Sequence, residues 1–151
     1  MTTVYNKASE IAIDLSNRLK AITVANGYET DIGLRSYRGR TNIDEDSVPC
    51  SVLIEGEDKM GRSSGLNNVQ VLQDYVLGGY VKCDPNNPND AAHAILRDLK
   101  KAVFKDGSKM GGVVRNVEYR GRNIGARADG RPIVFAIIHI TVEYAEDLTN
   151  P

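Results

Sequence analysis

Residues 21–58, AITVANGYETDIGLRSYRGRTNIDEDSVPCSVLIEGED, decide the fold class. They read as the end of a helix, a Gly-marked turn, a short strand, an acid-rich loop and a second strand. Upstream, Ile11, Leu15, Leu19 and Ile22 recur at i, i+4, i+8 and i+11, one face of a helix running from about Asn6 or Ala8 to Ile22. Asp14, Asn17, Arg18 and Lys20 are expected on its solvated face. Asn26 and Gly27 tolerate left-handed backbone and are expected to stop it. A short strand follows over residues 34–38, then a polar loop over 39–47. Residues 48–55 read as a strand with Pro49 at its start, where a missing N–H matters least. In that strand Cys50, Val52 and Ile54 alternate with Ser51, Leu53 and Glu55.

Downstream, Gly56, Gly61, Ser63, Ser64 and Gly65 sit among charges, so residues 56–68 are expected to form a mobile loop. Residues 69–82 form a long extended run. At ~3.3 Å per residue it would span about 45 Å unbroken, far beyond a usual strand. Gly78-Gly79 is therefore read as a kink or a bulge. An Asn- and Pro-rich turn over residues 84–89 leads into a second helix over about 90–104, with Pro88 or Asn89 at its start. Ala92, Ile95, Leu96, Leu99, Ala102 and Val103 make its apolar face. Lys100, Lys101 and Lys105 suit the negative end of its dipole, and Gly107 ends it. Two strands close the chain, over 113–120 and 133–144, joined by a loop whose Asp129-Gly130 is a hairpin signal.

The order is α-β-β-β-α-β-β. Short links favour antiparallel pairing, and two amphipathic helices can cover one face of one sheet. The predicted class is α+β: a single mixed, mostly antiparallel sheet of about five strands with two α-helices on one face. Val134, Ala136, Ile138, Ile140 and Val142 form the core face of the last strand. Its other face, Ile133, Phe135, Ile137, His139, Thr141 and Glu143, grows polar toward the C-terminal end.

At 151 residues the chain is expected to be one domain, able to bury about 68–70% of its unfolded surface without staples. The net charge of −1, the absence of Trp and the 6% aromatic content argue against a general nucleic-acid binder. The opening MTTVYNKASE has no apolar core of a secretory signal. No apolar run approaches the ~18–20 residues of a membrane span. Cys50 and Cys83 give no disulfide framework and no metal spacing, and reduced thiols are expected.

His93 and His139 lack a partner at the spacing of HExxH. Cys50 reads as a buried structural thiol, with nothing near it in sequence to lower its pKa. No GxSxG, Walker loop or GxGxxG occurs, and Gly107, Gly111 and Gly112 read as turn glycines. No catalytic, cofactor-binding or metal-ligating residue is assigned, and no enzyme is expected. Two charged segments remain: the acidic triplet Asp44, Glu45 and Asp46, and the arginines Arg115, Arg120, Arg122, Arg127 and Arg131 of the last hairpin. They are two solvated loops, a metal-binding loop and a phosphate-binding hairpin, or opposite patches that meet between copies of the chain. These eight residues are the candidate subunit or tube interface.

The blocks IAIDLSNRLKAITVANGYETDIG, YRGRTNIDEDSVPCSVLIEGED, GGYVK and NDAAHAILRDLKKAVF, in that order, resemble the tail terminator proteins of long-tailed bacteriophages, of the lambda minor tail protein U type. The chain is also similar to related neck and tail-completion proteins. The resemblance covers nearly the whole chain. It implies an α/β fold with a mixed sheet and two helices on one side, acting as a hexameric ring without cofactor or catalytic residues. One ring face would bind the major tail tube protein and stop polymerisation. The other would meet a head-completion or connector protein. The implied location is the head-proximal end of the virion tail, with the host cytoplasm during assembly, and with no membrane and no direct nucleic-acid recognition. The other readings are a head-tail joining, neck or tail-completion protein of the same fold, a nucleic-acid binder, and a metal-dependent hydrolase.

Overall fold

The computed structural model describes residues 6–63, 65, 67–127 and 130–151. The elements run α1 (Lys7–Lys20), β1 (Ser36–Arg38), β2 (Cys50–Ser63), β3 (Asn68–Lys82), α2 (Pro88–Phe104), β4 (Asn116–Ile124) and β5 (Ile133–Asp147), with single-turn 3-10 helices in the links. This is the predicted α+β layout. The five strands lie in the order β1-β2-β3-β5-β4. β1 runs parallel to β2 and the other pairs are antiparallel.

Helix α1 starts where the Asn6 side chain accepts a hydrogen bond from the Ser9 N–H at 2.9 Å, a normal N-cap. It ends at Lys20, before Ile22. Asn26 and Gly27 do not stop it. They close the separate turn Val24–Asn26, with Gly27 at φ 89°. The chain then folds back so that the Gly33 N–H donates to the Ile22 carbonyl at 2.8 Å. A Cβ on Gly33 would lie 2.5 Å from the Leu19 carbonyl oxygen, so only glycine fits against the end of α1.

Both helices cover the same face of the sheet. Ile11, Leu15 and Leu19 of α1 and Ile95, Leu96 and Leu99 of α2 are fully buried against Leu53, Leu77, Ala136 and Ile138. β3 continues unbroken for 15 residues, paired to β5 from Asn68 through Lys82. Gly78-Gly79 is therefore neither a kink nor a bulge. Each glycine makes room for side chains: Ile32 and Ile95 approach to 2.9 Å of a virtual Cβ at Gly79, and Ile137 and Phe135 to 2.8 Å at Gly78, on the opposite face.

The register breaks fall in β2, between Glu55 and Asp58 and between Met60 and Ser63. This corrects the loop expected over residues 56–68. Residues up to Ser63 are strand, and Gly56 and Gly61 fall at these irregularities. Both faces of this stretch are exposed, so it has no reason to alternate apolar and polar. Ser64 and Leu66 lie outside the described residues, as does Asp129 of the expected hairpin turn. β4 starts at Asn116 rather than at 113, because Gly111 (φ 70°) and Gly112 (φ 100°) hold a turn before it, and it runs on to Ile124.

Two polar side chains fasten the layers. Arg18, expected on the solvated face of α1, is only 7% exposed. Its guanidinium reaches Asp14 and Asp106, both at 2.8 Å, and donates to the Ala102 and Val103 carbonyls at the end of α2. It thereby satisfies carbonyls that a helix end leaves open. Asp98 of α2 is buried and accepts from the Glu29 N–H at 3.0 Å, the Thr30 N–H at 2.7 Å and the Thr30 hydroxyl at 2.6 Å. That carboxylate ties the segment after α1 to α2.

Candidate assembly surface

Because both helices sit on one face, the other face of the sheet is left without a helix. Its middle carries the half-buried Ile54, Leu72, Val76 and Ile137. Toward the start of β5, Tyr80 and Phe135 stack with ring centroids 4.3 Å apart. Toward the end of β5 the face turns polar. The Thr141 hydroxyl donates to Asp74 at 2.7 Å and receives Arg120 Nε at 3.2 Å, and Arg120 also pairs with Glu118 at 3.2 Å.

The acidic loop lies at the opposite end from Thr141. At the start of β2, Cys50 and Val52 are buried although they point to the helix-free face. The loop over residues 39–49 borders this end of the face. Val48 and Ile43 of the loop share a small hollow of about 200 Å³ with Tyr80 and Phe135. Several arginines fasten it. Arg40 stacks over the Tyr37 ring at 4.6 Å, Arg35 donates to the Asp46 carbonyl at 2.9 Å, and Arg131 pairs with Glu45 at 3.1 Å.

The eight candidate residues therefore separate. Glu45 and Arg131 meet inside one copy. Asp44 has only a distant pair, Arg40 at 3.9 Å, and is 82% exposed. Asp46 is engaged through its backbone. Arg127 donates to the Arg131 carbonyl. Arg122 faces the helix side, where it contacts Nδ1 of the exposed His93 at 3.3 Å, and Arg120 is held by Glu118 and Thr141. Arg115 stands apart, just before β4, at the far end of the sheet. There it borders an open hollow of about 660 Å³, together with Arg62, Asn68, Gln70 and Glu143. Sequence reasoning missed Arg62, because the strand that carries it past Gly56 and Gly61 reads as a loop.

The Cys50 thiol is poorly suited to chemistry. Burial pushes the Cys50 thiol up to about 11, so it stays protonated near neutrality. Burial also raises the Tyr75 and Tyr144 phenols above their usual range. Both cysteines are free. Among the described residues no group of three or more His, Cys, Asp or Glu side chains is placed to hold a metal ion, and no helix is long and apolar enough to cross a membrane. No protein-family model matches the chain, and no curated protein is significantly similar to it.

Proposed function

We propose that the chain is a structural protein that assembles as a ring on the growing end of a phage tail tube, stops its polymerisation and offers its far side for joining to the head. The observation that carries this reading is one-sided layering. Two helices seal one face of a long-stranded sheet, while the other face keeps half-buried apolar side chains at Ile54, Val76 and Ile137 with no helix over them. An uncovered strip of that kind suits contact with another protein surface. The ordered sequence blocks that resemble tail terminators give the reading its specific form.

In this mechanism the work is done by surface matching. A terminator must fit the tube subunit on one side and fail to present the tube's own growing surface on the other. The expected partners are further copies of the chain, in a hexameric ring, with the major tail tube protein and a head-completion or connector protein. The test is native mass spectrometry of the protein alone and with purified tubes. A ring, alone or on tube ends, supports the reading. A protein that stays monomeric at every concentration and never co-sediments with tubes overturns it.

A further inference from the structure

Three surfaces were candidates for a specific contact: the strapped hollow under the acidic loop, the polar cluster around Asp74 and Thr141, and the large hollow at the far end of the sheet. The first two hold charges that already have partners in the same copy. The third does not. Arg62 at the end of β2 and Arg115 before β4 border one open hollow of about 660 Å³. Among the described residues neither guanidinium has a carboxylate within 4 Å. The one acid in the lining, Glu143, accepts the Gln70 amide at 2.5 Å, and the Gln70 oxygen in turn accepts the Arg62 N–H at 2.8 Å. Two cations and one partly satisfied anion leave the hollow with a net positive charge.

The complementary feature sits at the other end of the same strand. Asp44 and Asp46 are exposed; among the described residues Asp44 has one weak pair, Arg40 at 3.9 Å, with its side chain still 82% exposed, and the Asp46 carboxylate has no cation within 4 Å. β2 separates the two sites with 14 residues, roughly 40 Å of extended chain. One copy's loop cannot reach its own hollow. We infer that Arg62 and Arg115 of one copy receive Asp44 and Asp46 of the next, in a head-to-tail contact between opposite ends of the sheet.

Such a contact joins two different surfaces, and it closes into a ring when the rotation per copy allows. It rests on the ring reading above and assigns its charged contact. Arginine suits the role, because its planar fork takes a carboxylate by two hydrogen bonds. Charge of this kind sets partner and register more than it adds raw affinity. The intramolecular Glu45–Arg131 pair has a distinct job: it holds the acidic loop in place to be received.

The experiment uses the full chain and compares R62E/R115E with D44K/D46K by native mass spectrometry and light scattering across concentration. Circular dichroism confirms that each variant is folded. Each variant alone should lose about tenfold or more in association. When the two are mixed and alternate, each contact again joins opposite charges, Asp to Arg at one and Lys to Glu at the next, and assembly should return to near the wild-type level. Retained assembly in either variant overturns the inference and leaves the ring reading standing. Loss in both without rescue on mixing also overturns it, since each patch then meets something else. Unchanged assembly with loss of salt-sensitive binding to duplex DNA in R62E/R115E alone would reassign the hollow to a phosphate chain. Wild-type protein that is monomeric alone and on tubes overturns both.

Discussion

Asp98→Ala should be among the most damaging single changes in the chain, and its cost can be worked from contacts. The carboxylate is 1% exposed. It is the acceptor for two backbone N–H groups, of Glu29 and Thr30, and for the Thr30 hydroxyl. Truncation leaves those donors facing the methyl of alanine. A buried donor left unmade costs about 1–3 kcal/mol. The two buried donors, the Thr30 N–H and hydroxyl, give about 4 kcal/mol, the part-buried Glu29 N–H can rehydrate, and relief from burying a carboxylate returns part of the cost. The net expectation is a loss of about 3 kcal/mol, or about 6–12 °C in melting temperature for a chain of this size. Thr30→Val removes only the hydroxyl bond and should cost about 1–2 kcal/mol. Because both changes act on one network, Thr30→Val should cost much less in the Asp98→Ala background. Urea unfolding followed by circular dichroism reads these differences, with the slope unchanged and the midpoint shifted. An Asp98→Ala midpoint equal to wild type, or the same cost for Thr30→Val in both backgrounds, would refute the clamp.

Arg18→Ala removes the fork that joins α1 to the end of α2. Since Asp14 and Asp106 are partly exposed and can rehydrate, the loss should be about 2 kcal/mol by urea unfolding. Gly33→Ala should lower stability by more than the helix-surface control Ser16→Ala, because its Cβ would meet carbonyl oxygens rather than a flexible side-chain end; equal melting temperatures would contradict the close approach. Burial raises the Cys50, Tyr75 and Tyr144 groups above their ordinary values, so the folded chain holds those protons more tightly than the unfolded one. Their contribution is complete below the ordinary thiol range near about 8.5 and is lost as pH rises through the folded values. A melting temperature that falls steadily from pH 8 to pH 11 is expected, and a rising one would contradict the assignment. In a thiol-labelling assay at pH 8, Cys83 should react in the folded chain and Cys50 only on unfolding, since Cys50 is 0% exposed.

The layout of the fold was legible where burial is one-sided. α2 shows it best: each of Ala92, Ile95, Leu96, Leu99, Ala102 and Val103 points inward, and their spacing alone placed the face. The core face of β5 was legible for the same reason. The end of β2 was not, because residues 56–63 are solvated on both sides and their glycines fall at register breaks. Gly78-Gly79 misled in the opposite sense. Its glycines answer to side chains packed from two sides of a straight strand, which no local pattern encodes. Arg18, Gly33 and Asp98 act across distances of 11 to 88 residues, so their roles emerge only on folding. Of the charged patches, sequence located both segments, yet only coordinates separate Arg131, paired within its copy, from Arg115, which is joined at its hollow by Arg62.

The proposed capping role is tested by electron microscopy of tails assembled with and without this chain. Tubes of uniform length, capped at one end, are expected when the protein is present, and overlong or irregular tubes when it is absent. Tails of the same uniform length in both preparations would contradict it.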